Sequence, residues 1–162
     1  MSEKGEDWLA AARYGDKEDL KAFVDEDPSI VNYADEFGST ALHKAAGNGH
    51  EECIEFLLSK GAKLLRNDSG NTALSWAVLN GNVKVVKMLV EAFPEVNMLE
   101  ENSSGQSIVT ECLQNGNDDI IAIILKHPSV EAASKAAQEA AASPAEEADD
   151  KEEKTEEMPK EG

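Results

Sequence analysis

One twelve-residue block occurs twice in the chain with the same arrangement of glycine, threonine, alanine and leucine. Residues 38–49 read G-S-T-A-L-H-K-A-A-G-N-G, and residues 70–81 read G-N-T-A-L-S-W-A-V-L-N-G. The two copies begin 32 residues apart and share seven identical positions. A fixed period of this length is typical of stacked repeats, in which each unit buries its apolar face only against its neighbours. The period therefore predicts a stack of helical repeats.

The same pattern extends, less completely, to both sides of these copies. Residues 1–34 are predicted to form an N-terminal capping repeat, with a helix, a tight turn at Gly15 and a second helix. Residues 35–66 are the best-formed copy, residues 67–100 the next, and residues 101–129 a degenerate C-terminal copy, where a period of 35 predicts a longer hairpin loop. We therefore expect an all-α fold with about four helix-turn-helix repeats and short β-hairpin loops.

The last part of the chain differs from the repeats in composition. Residues 130–143 are rich in alanine and have high helix propensity, so we expect a helix that lies over the last repeat or projects into solvent. Residues 144–162 are acidic and contain no large apolar residue except Met158. Such a segment cannot bury enough apolar surface to offset its ordering entropy, which predicts a disordered tail.

Acidic residues dominate the charge of the chain. It contains 33 acidic and 15 basic residues, for a net charge of −18, and residues 131–162 alone contribute −7. This charge disfavours nucleic acids and anionic membranes and favours a basic protein partner. Cys53 and Cys112 fall at apolar helix positions, and neither a secretory signal nor a bilayer-spanning run is visible. We expect a monomer in the cytoplasm, with the nucleus as a further location.

Residues 38–62 resemble the ankyrin repeat, whose signature is G-x-T-P-L-H-x-A-A-x-x-G-H followed by paired apolar residues and G-A. Ala41 replaces the usual proline, and the next copy has Ser75 and Asn82 at the two histidine positions. The resemblance covers four copies within residues 8–128. It implies a non-catalytic module that binds another protein through its concave face.

Narrower resemblances suggest particular partners. The block at residues 70–81 is similar to the third repeat of a small acidic fungal ankyrin chaperone, which implies a basic small-subunit ribosomal protein as partner in ribosome biogenesis. The fourth copy, G-Q-S-I-V-T-E-C-L-Q-N-G-N, resembles ankyrin modules linked to protein methyltransferases, and the chain would then be a stand-alone relative. The segment L-V-E-A-F-P-E-V-N, ending at Asn97, resembles ankyrin segments modified by an asparaginyl hydroxylase. The alternative function is a generic ankyrin adaptor or inhibitor of a folded signalling partner.

The histidines and Cys53 raise the question of a metal site. Closed zinc sites need four ligands at short paired spacings, which His43, His50 and Cys53 do not provide. The ankyrin resemblance instead implies that His43 and His50 bond loop backbone, and we expect His127 to be exposed. The chain has no G-x-S-x-G, C-x-x-C, phosphate loop or G-x-G-x-x-G. We therefore expect no enzyme activity, no cofactor and no metal.

The predicted binding surface is the concave side of the stack, formed by loop tips and first helices. Phe37 and Trp76 are large aromatics at positions where the fold does not require them, and buried aromatics dominate the energetics of interfaces. Alternatively, Trp76 packs on its neighbours inside the stack and Phe37 closes its own hairpin. The predicted partner-binding residues are Arg13, Tyr14, Phe37, Lys44, Asn48, Asn71, Trp76, Leu79, Asn80 and Gln114.

Overall fold

The helices of this chain follow one another in pairs. A computed structural model describes the backbone of residues 2–150 and the side chains of residues 2–141. First helices of successive pairs pack side by side, as do the second helices, so the pairs stack in register. The predicted all-α repeat solenoid is confirmed. The pairs are α1 (Glu3–Tyr14) with α2 (Lys17–Glu26), α3 (Ala41–Gly47) with α4 (Glu51–Ser59), α5 (Ala73–Leu79) with α6 (Val83–Ala92), and α7 (Ile108–Asn115) with α8 (Asp118–Leu125).

Local sequence signals set the beginning and the turn of each unit. The side-chain oxygens of Thr40, Thr72 and Ser107 accept a hydrogen bond from the backbone N–H three residues later, which caps α3, α5 and α7. Gly49 turns the chain between α3 and α4 with a φ of 73°, a conformation that a side chain disfavours. A Cβ atom on Gly49 would also lie 3.2 Å from the Asn82 side chain of the next unit. These signals allow each pair to approach its neighbour closely.

The apolar core runs as one band through all four pairs. Alanines such as Ala45 and Ala77 are fully buried between helices, and their small size lets the helix axes come close together. Cys53 and Cys112 are free and buried, as expected of small apolar side chains, and burial raises the pKa of both thiols. Each unit therefore contributes one layer to a core that no unit completes alone.

The loops between pairs are tight hairpin turns with less strand pairing than predicted. Within residues 2–150, the only β-type pairing is one antiparallel bridge between Ala34 and Thr40. The Asp35 backbone N–H donates to the Ser39 carbonyl at 3.0 Å, and the Asp35 carboxylate adds to this closure by accepting hydrogen bonds of 2.9 Å from the backbone N–H groups of Phe37 and Ser39. A side chain that satisfies two backbone donors leaves no need for a strand ladder.

The later loops repeat this closure and also bond to one another. Asn67 and Asn102, which occupy the position of Asp35, accept hydrogen bonds from the N–H groups two and four residues ahead. At each junction one loop tip donates a backbone hydrogen bond of 2.9 Å to the preceding tip, from Asp68 to Phe37 and from Ser103 to Ser69. The loops are therefore joined directly, tip to tip.

The final helix is longer than the sequence predicts. Helix α9 (Pro128–Asp150) continues through Ser143 and Pro144, because its alanines and glutamates favour helix strongly enough to accommodate one proline. The side chains of residues 131–141 are all exposed, so this part of α9 projects from the stack. No helix among the described residues is both long and apolar enough to cross a membrane. Residues 151–162 of the predicted tail lie outside the described residues.

Candidate functional site

His43 joins two neighbouring units through the backbone. Its Nε2 donates to the carbonyl of Asn71 at 2.9 Å, while its Nδ1 accepts from the N–H of Thr40 at 3.1 Å. Burial lowers the pKa of His43, and the nearby Lys44 ammonium lowers it further, so the ring is neutral near pH 7. His43 therefore bonds loop backbone, as the resemblance implies.

The other two histidines also bond backbone carbonyls, but these belong to the preceding unit, whereas His43 bonds the following one. His50 Nε2 donates to the carbonyl of Arg13 at 2.8 Å. His127 Nε2 donates to the carbonyl of Pro94 at 2.9 Å, and its Nδ1 accepts from the N–H of Ser129. The expectation that His127 is exposed is therefore wrong, because this ring is buried where the start of α9 meets the chain after α6. The residues that the structure describes contain no group of three or more histidine, cysteine or acidic side chains suited to a metal ion.

Trp76 is half-buried against the preceding unit, and Phe37 is exposed. The Trp76 ring packs edge-to-face on His43 at 5.1 Å, and Lys44 Nζ lies 5.6 Å from the ring centre. A Cβ on Gly47 would lie 3.1 Å from the same ring, so Trp76 does pack inside the stack while keeping part of its surface open. The Phe37 side chain is 63% exposed at a loop tip, so only its backbone takes part in loop closure.

Arg13 and Lys44 lie together in one cleft between α1 and the first loop. The cleft has a volume of about 240 Å³, and Asp35 and Glu36 also line it. Lys44 Nζ is 3.2 Å from the Asp35 carboxylate, and both side chains are mostly buried. Lys44 therefore touches the Trp76 ring and this cleft at once, and the cleft has both positive and negative groups for a partner.

Most other predicted residues at the ends of the first helices are exposed. Asn48 and Asn80 each donate a side-chain hydrogen bond of 2.8 Å to the carbonyl four residues earlier, which caps their own helices. Leu79 is 48% exposed, and Gln114 is exposed with its Nε2 donating to Gln106 Oε1 at 3.0 Å. These side chains are accessible to a partner. Sequence reasoning missed Leu113, which is 54% exposed on α7.

Two predicted residues, Asn71 and Tyr14, do not join this surface. Asn71 is half-buried, and its Oδ1 accepts a hydrogen bond of 2.8 Å from Asn102 Nδ2, so its side chain supports the loop stack. Tyr14 is 76% exposed, but it lines a separate hollow with Asp19 and Phe23 between α1 and α2. The structure therefore brings together Arg13, Lys44 and Trp76 but not Tyr14.

A cavity that the sequence analysis did not predict lies between the chain segments that follow α4 and α6. Its volume is about 510 Å³, within the range of small-ligand sites. Arg66 lines it and bonds across to the next segment, with one guanidinium nitrogen 2.9 Å from Glu100 Oε2 and another 3.2 Å from the Glu101 carbonyl. Other lining residues include Leu64, Ser75, Phe93, Val96, Asn102 and Gln106.

Glu111 is a buried carboxyl group beside this cavity. It is only 4% exposed, and its Oε1 accepts a hydrogen bond of 3.3 Å from Asn102 Nδ2. Its Oε2 has no hydrogen-bond partner within the described part of the chain. Burial raises the pKa of Glu111, although the Ser75 hydroxyl opposes this shift. One sequence signal could have identified this residue. Glu111 occupies the same position in its repeat as Lys44 and Trp76, two predicted partner-binding residues, occupy in theirs.

Comparison with protein families identifies the repeat. Residues 8–100 match the family model described as ankyrin repeats, in three copies. This match covers more than half of the chain, and the fourth helix pair of the structure follows it directly.

Similar proteins share this region and are much longer than the chain. A probable E3 ubiquitin-protein ligase of Oryza sativa subsp. japonica is 33% identical over 66% of this chain and 22% of its own length. The human NAD-capped RNA hydrolase is 40% identical over 51% of this chain and 18% of its length. The mouse ankyrin repeat and SAM domain-containing protein 6 is 35% identical over 59% of this chain and 11% of its length. The chain therefore spans less than a quarter of each of these relatives.

Proposed function

This chain belongs to the ankyrin-repeat family, and we propose that it is a non-catalytic protein that binds a basic polypeptide. The binding surface, which we call the groove face, consists of Arg13, Phe37, Lys44, Trp76 and Leu79. The exposed Phe37 ring at a loop tip is the observation that carries this proposal, because an aromatic side chain in solvent is available as an anchor. Ankyrin repeats form a protein-interaction fold, and a stack of such units offers an extended surface.

The charge of the chain supports a basic partner. A net charge of −18 attracts cationic segments over long range and repels nucleic acids. The few cations of the groove face do not reverse this field, because Lys44 is paired with Asp35. Aromatic anchors and long-range attraction act on different steps, the first on dissociation and the second on encounter.

A basic ribosomal protein awaiting assembly is the partner that we propose within this class. The block at residues 70–81, which resembles a chaperone of such a protein, includes Trp76 and Leu79 of the groove face. An acidic protein that covers a basic chain keeps it from binding nucleic acid too early. The direct experiment mixes the full chain with purified small-subunit ribosomal proteins and measures which of them stays soluble and bound.

The groove face is tested by replacing both aromatics. Phe37→Ala with Trp76→Ala should weaken capture of the bound ribosomal protein by about 2 kcal/mol or more, roughly 30-fold. Because Trp76 also packs on His43, Phe37→Ala alone and a circular dichroism spectrum accompany the double variant. Leu125→Ala on α8 is the matched control, since it removes a partly exposed apolar side chain from a second helix. Unchanged affinity in the folded double variant would place the site elsewhere.

The contribution of the acidic tail is tested separately. Deletion of residues 144–162 should lower the association rate and the salt dependence of binding more than it raises the dissociation rate. Stopped-flow measurements at two salt concentrations separate these rates. If the deletion left the salt dependence of binding unchanged, the tail would not contribute to the attraction of the basic partner.

A second candidate function is a generic ankyrin adaptor or inhibitor of a folded partner. Its support is that the similar proteins are long chains in which the matched part is a small fraction. A stand-alone relative of methyltransferase-linked modules belongs to the same class. Pull-down at two salt concentrations distinguishes the two functions, because capture of a basic segment fades steeply with salt and charge-indifferent binding does not.

A further inference from the structure

The cavity beside Glu111 lies where a histidine is missing from the stack. At the preceding junction, His43 donates to the carbonyl of Asn71. One unit later, Ser75 stands at the position of His43, and Gln106 at that of Asn71. Ser75 and Gln106 both line the cavity. The short serine therefore leaves open the space that an imidazole fills at the preceding junction.

A longer connecting segment holds this space open. The last two repeats are 35 residues apart instead of 32, and the difference falls largely between the end of α6 and the loop at Asn102. Phe93 and Val96 of this segment line one side of the cavity, opposite Leu64. The bonds of Arg66 to Glu100 and Glu101 connect the two sides of the cavity.

Two acceptors beside the cavity lack the donor that a histidine would provide. The Gln106 carbonyl accepts a hydrogen bond from the Asn102 N–H, and no histidine reaches it in the described residues, unlike the carbonyl of Asn71. Glu111 Oε2 is buried and has no hydrogen-bond partner among the described residues, and Asn102, which donates to Glu111 Oε1, lines the cavity. A buried acceptor without a partner is costly, so a donor that reaches this place gains more than it would in water.

The walls and the acceptors together favour one kind of side chain. An arginine has an aliphatic stem that packs on apolar walls such as Leu64 and Phe93, and a planar fork of donors for a carbonyl and a carboxylate. The cations at the cavity do not exclude it, because Arg66 is paired with Glu100 and Lys63 is exposed.

We propose that this cavity takes one arginine side chain of the bound polypeptide, with the guanidinium group in the place of the missing imidazole, facing Gln106 and Glu111. This inference rests on the proposed function, because the basic polypeptide supplies the arginine. It adds a specificity: the partner carries an arginine that reaches the segments after α4 and α6, away from the groove face. The proposal makes Ser75 a specificity-determining residue, since its small size admits the ligand.

The test uses the full chain with N-acetyl-arginine methylamide, followed by amide chemical shifts in NMR. Saturable shifts at Ser75 and Gln106 are expected at millimolar concentration, with at least about tenfold weaker binding of the citrulline analogue, which keeps the shape but lacks the charge. Ser75→His, which restores the imidazole, should abolish the shifts, and Glu111→Gln should weaken them. Thr110→His is the matched control, because it places the same ring at the equivalent position of the next unit, outside the cavity.

Several results would overturn the proposal. These are equal binding of the citrulline analogue, stronger binding of N-acetyl-tryptophan methylamide, or undiminished shifts in a folded Ser75→His variant. The failure of the arginine site and the failure of the proposed function give different results.

If a basic polypeptide loses affinity with Phe37→Ala but binds the Ser75→His variant unchanged, the arginine site is refuted and the groove face stands. If arginine binds as expected while no basic polypeptide does, only the proposed function fails.

Discussion

Two junctions of the stack, between the second and third repeats and between the third and fourth, share the same backbone hydrogen bonds. They differ in the side chain that lies behind the loops. In both, a loop tip donates a backbone hydrogen bond of 2.9 Å to the preceding tip. In the first junction, His43 fills the space behind the loops and supports the Trp76 ring. In the second, Ser75 leaves that space open, near the buried Glu111 carboxyl group, whose Oε2 has no hydrogen-bond partner among the described residues.

This difference shows that stacking and filling are separable in a repeat protein. The loop closures and tip-to-tip bonds hold the units in register with either a histidine or a serine behind them. The first junction therefore mainly stabilises the fold. The second junction is less tightly filled and so less stabilising, but its open space can bind a ligand. The variants below change one junction while the other serves as its control.

Removal of the histidine should have the largest effect. His43→Ala should lower the free energy of unfolding by about 3 kcal/mol, because it deletes a fully buried ring and its hydrogen bonds to two backbone groups. Ser75→Ala, at the same position one unit later, should cost less than about 1 kcal/mol. Urea unfolding followed by circular dichroism measures both. Equal losses would mean that the two junctions are equivalent.

Replacing the loop glycines should distinguish a covered loop from an uncovered one. Gly38 and Gly105 have φ angles of 79° and 75°, so alanine is strained at both. A Cβ on Gly38 would lie 3.1 Å from Asn67 Cα and 3.2 Å from Asp68 N, whereas one on Gly105 would meet nothing within 4 Å. Gly38→Ala should cost about 2 kcal/mol and Gly105→Ala about 1 kcal/mol in unfolding free energy. A larger loss for Gly105→Ala would contradict this ordering.

Restoring the histidine should convert the second junction toward the first. Ser75→His should raise the free energy of unfolding by about 1 kcal/mol, because it fills part of the cavity and supplies a donor for the Gln106 carbonyl. Thr110→His should not raise the free energy of unfolding, because the described chain has no later loop whose carbonyl could accept a hydrogen bond from the new ring. Thermal unfolding of the two variants makes this comparison, and destabilisation by Ser75→His alone would show that the cavity lacks room for the ring.

Acidification should have the smallest effects on the free energy of unfolding, and the contributions of the two junctions should change in opposite directions. Burial lowers the pKa of His43, so the unfolded chain binds its proton more readily and stability falls as pH drops below about 6.5. Burial raises the pKa of Glu111, so the folded chain binds the proton more readily and stability rises as pH falls through that raised value towards about 4.3. His43→Gln should remove the first dependence and Glu111→Gln the second, as read from urea unfolding across this pH range. A wild-type slope that survives both substitutions would assign it to other groups.

Sequence reasoning succeeded where the signal was local. The threonine before α3 and the glycine turns predicted the helix pairs, and the histidine of the signature predicted the bond from His43 to the next loop. It failed for His127, which was expected to be exposed but is buried, and it did not identify the buried Glu111. The predicted short hairpins carry less strand pairing than expected, because Asp35 and its equivalents close the loops through side chains as well as backbone. The groove-face assignment stays a prediction for the proposed experiments.

The sequence by itself determined the period, the helix pairs and the acidic charge, because spacing, capping and composition are properties of the chain alone. Only the tertiary structure decided which positions of the repeat are filled and which are open. Lys44, Trp76 and Glu111 share one repeat position but differ in burial and contacts, since each meets a different neighbour. Burial depends on what the adjacent unit presents, and a single unit does not contain that information.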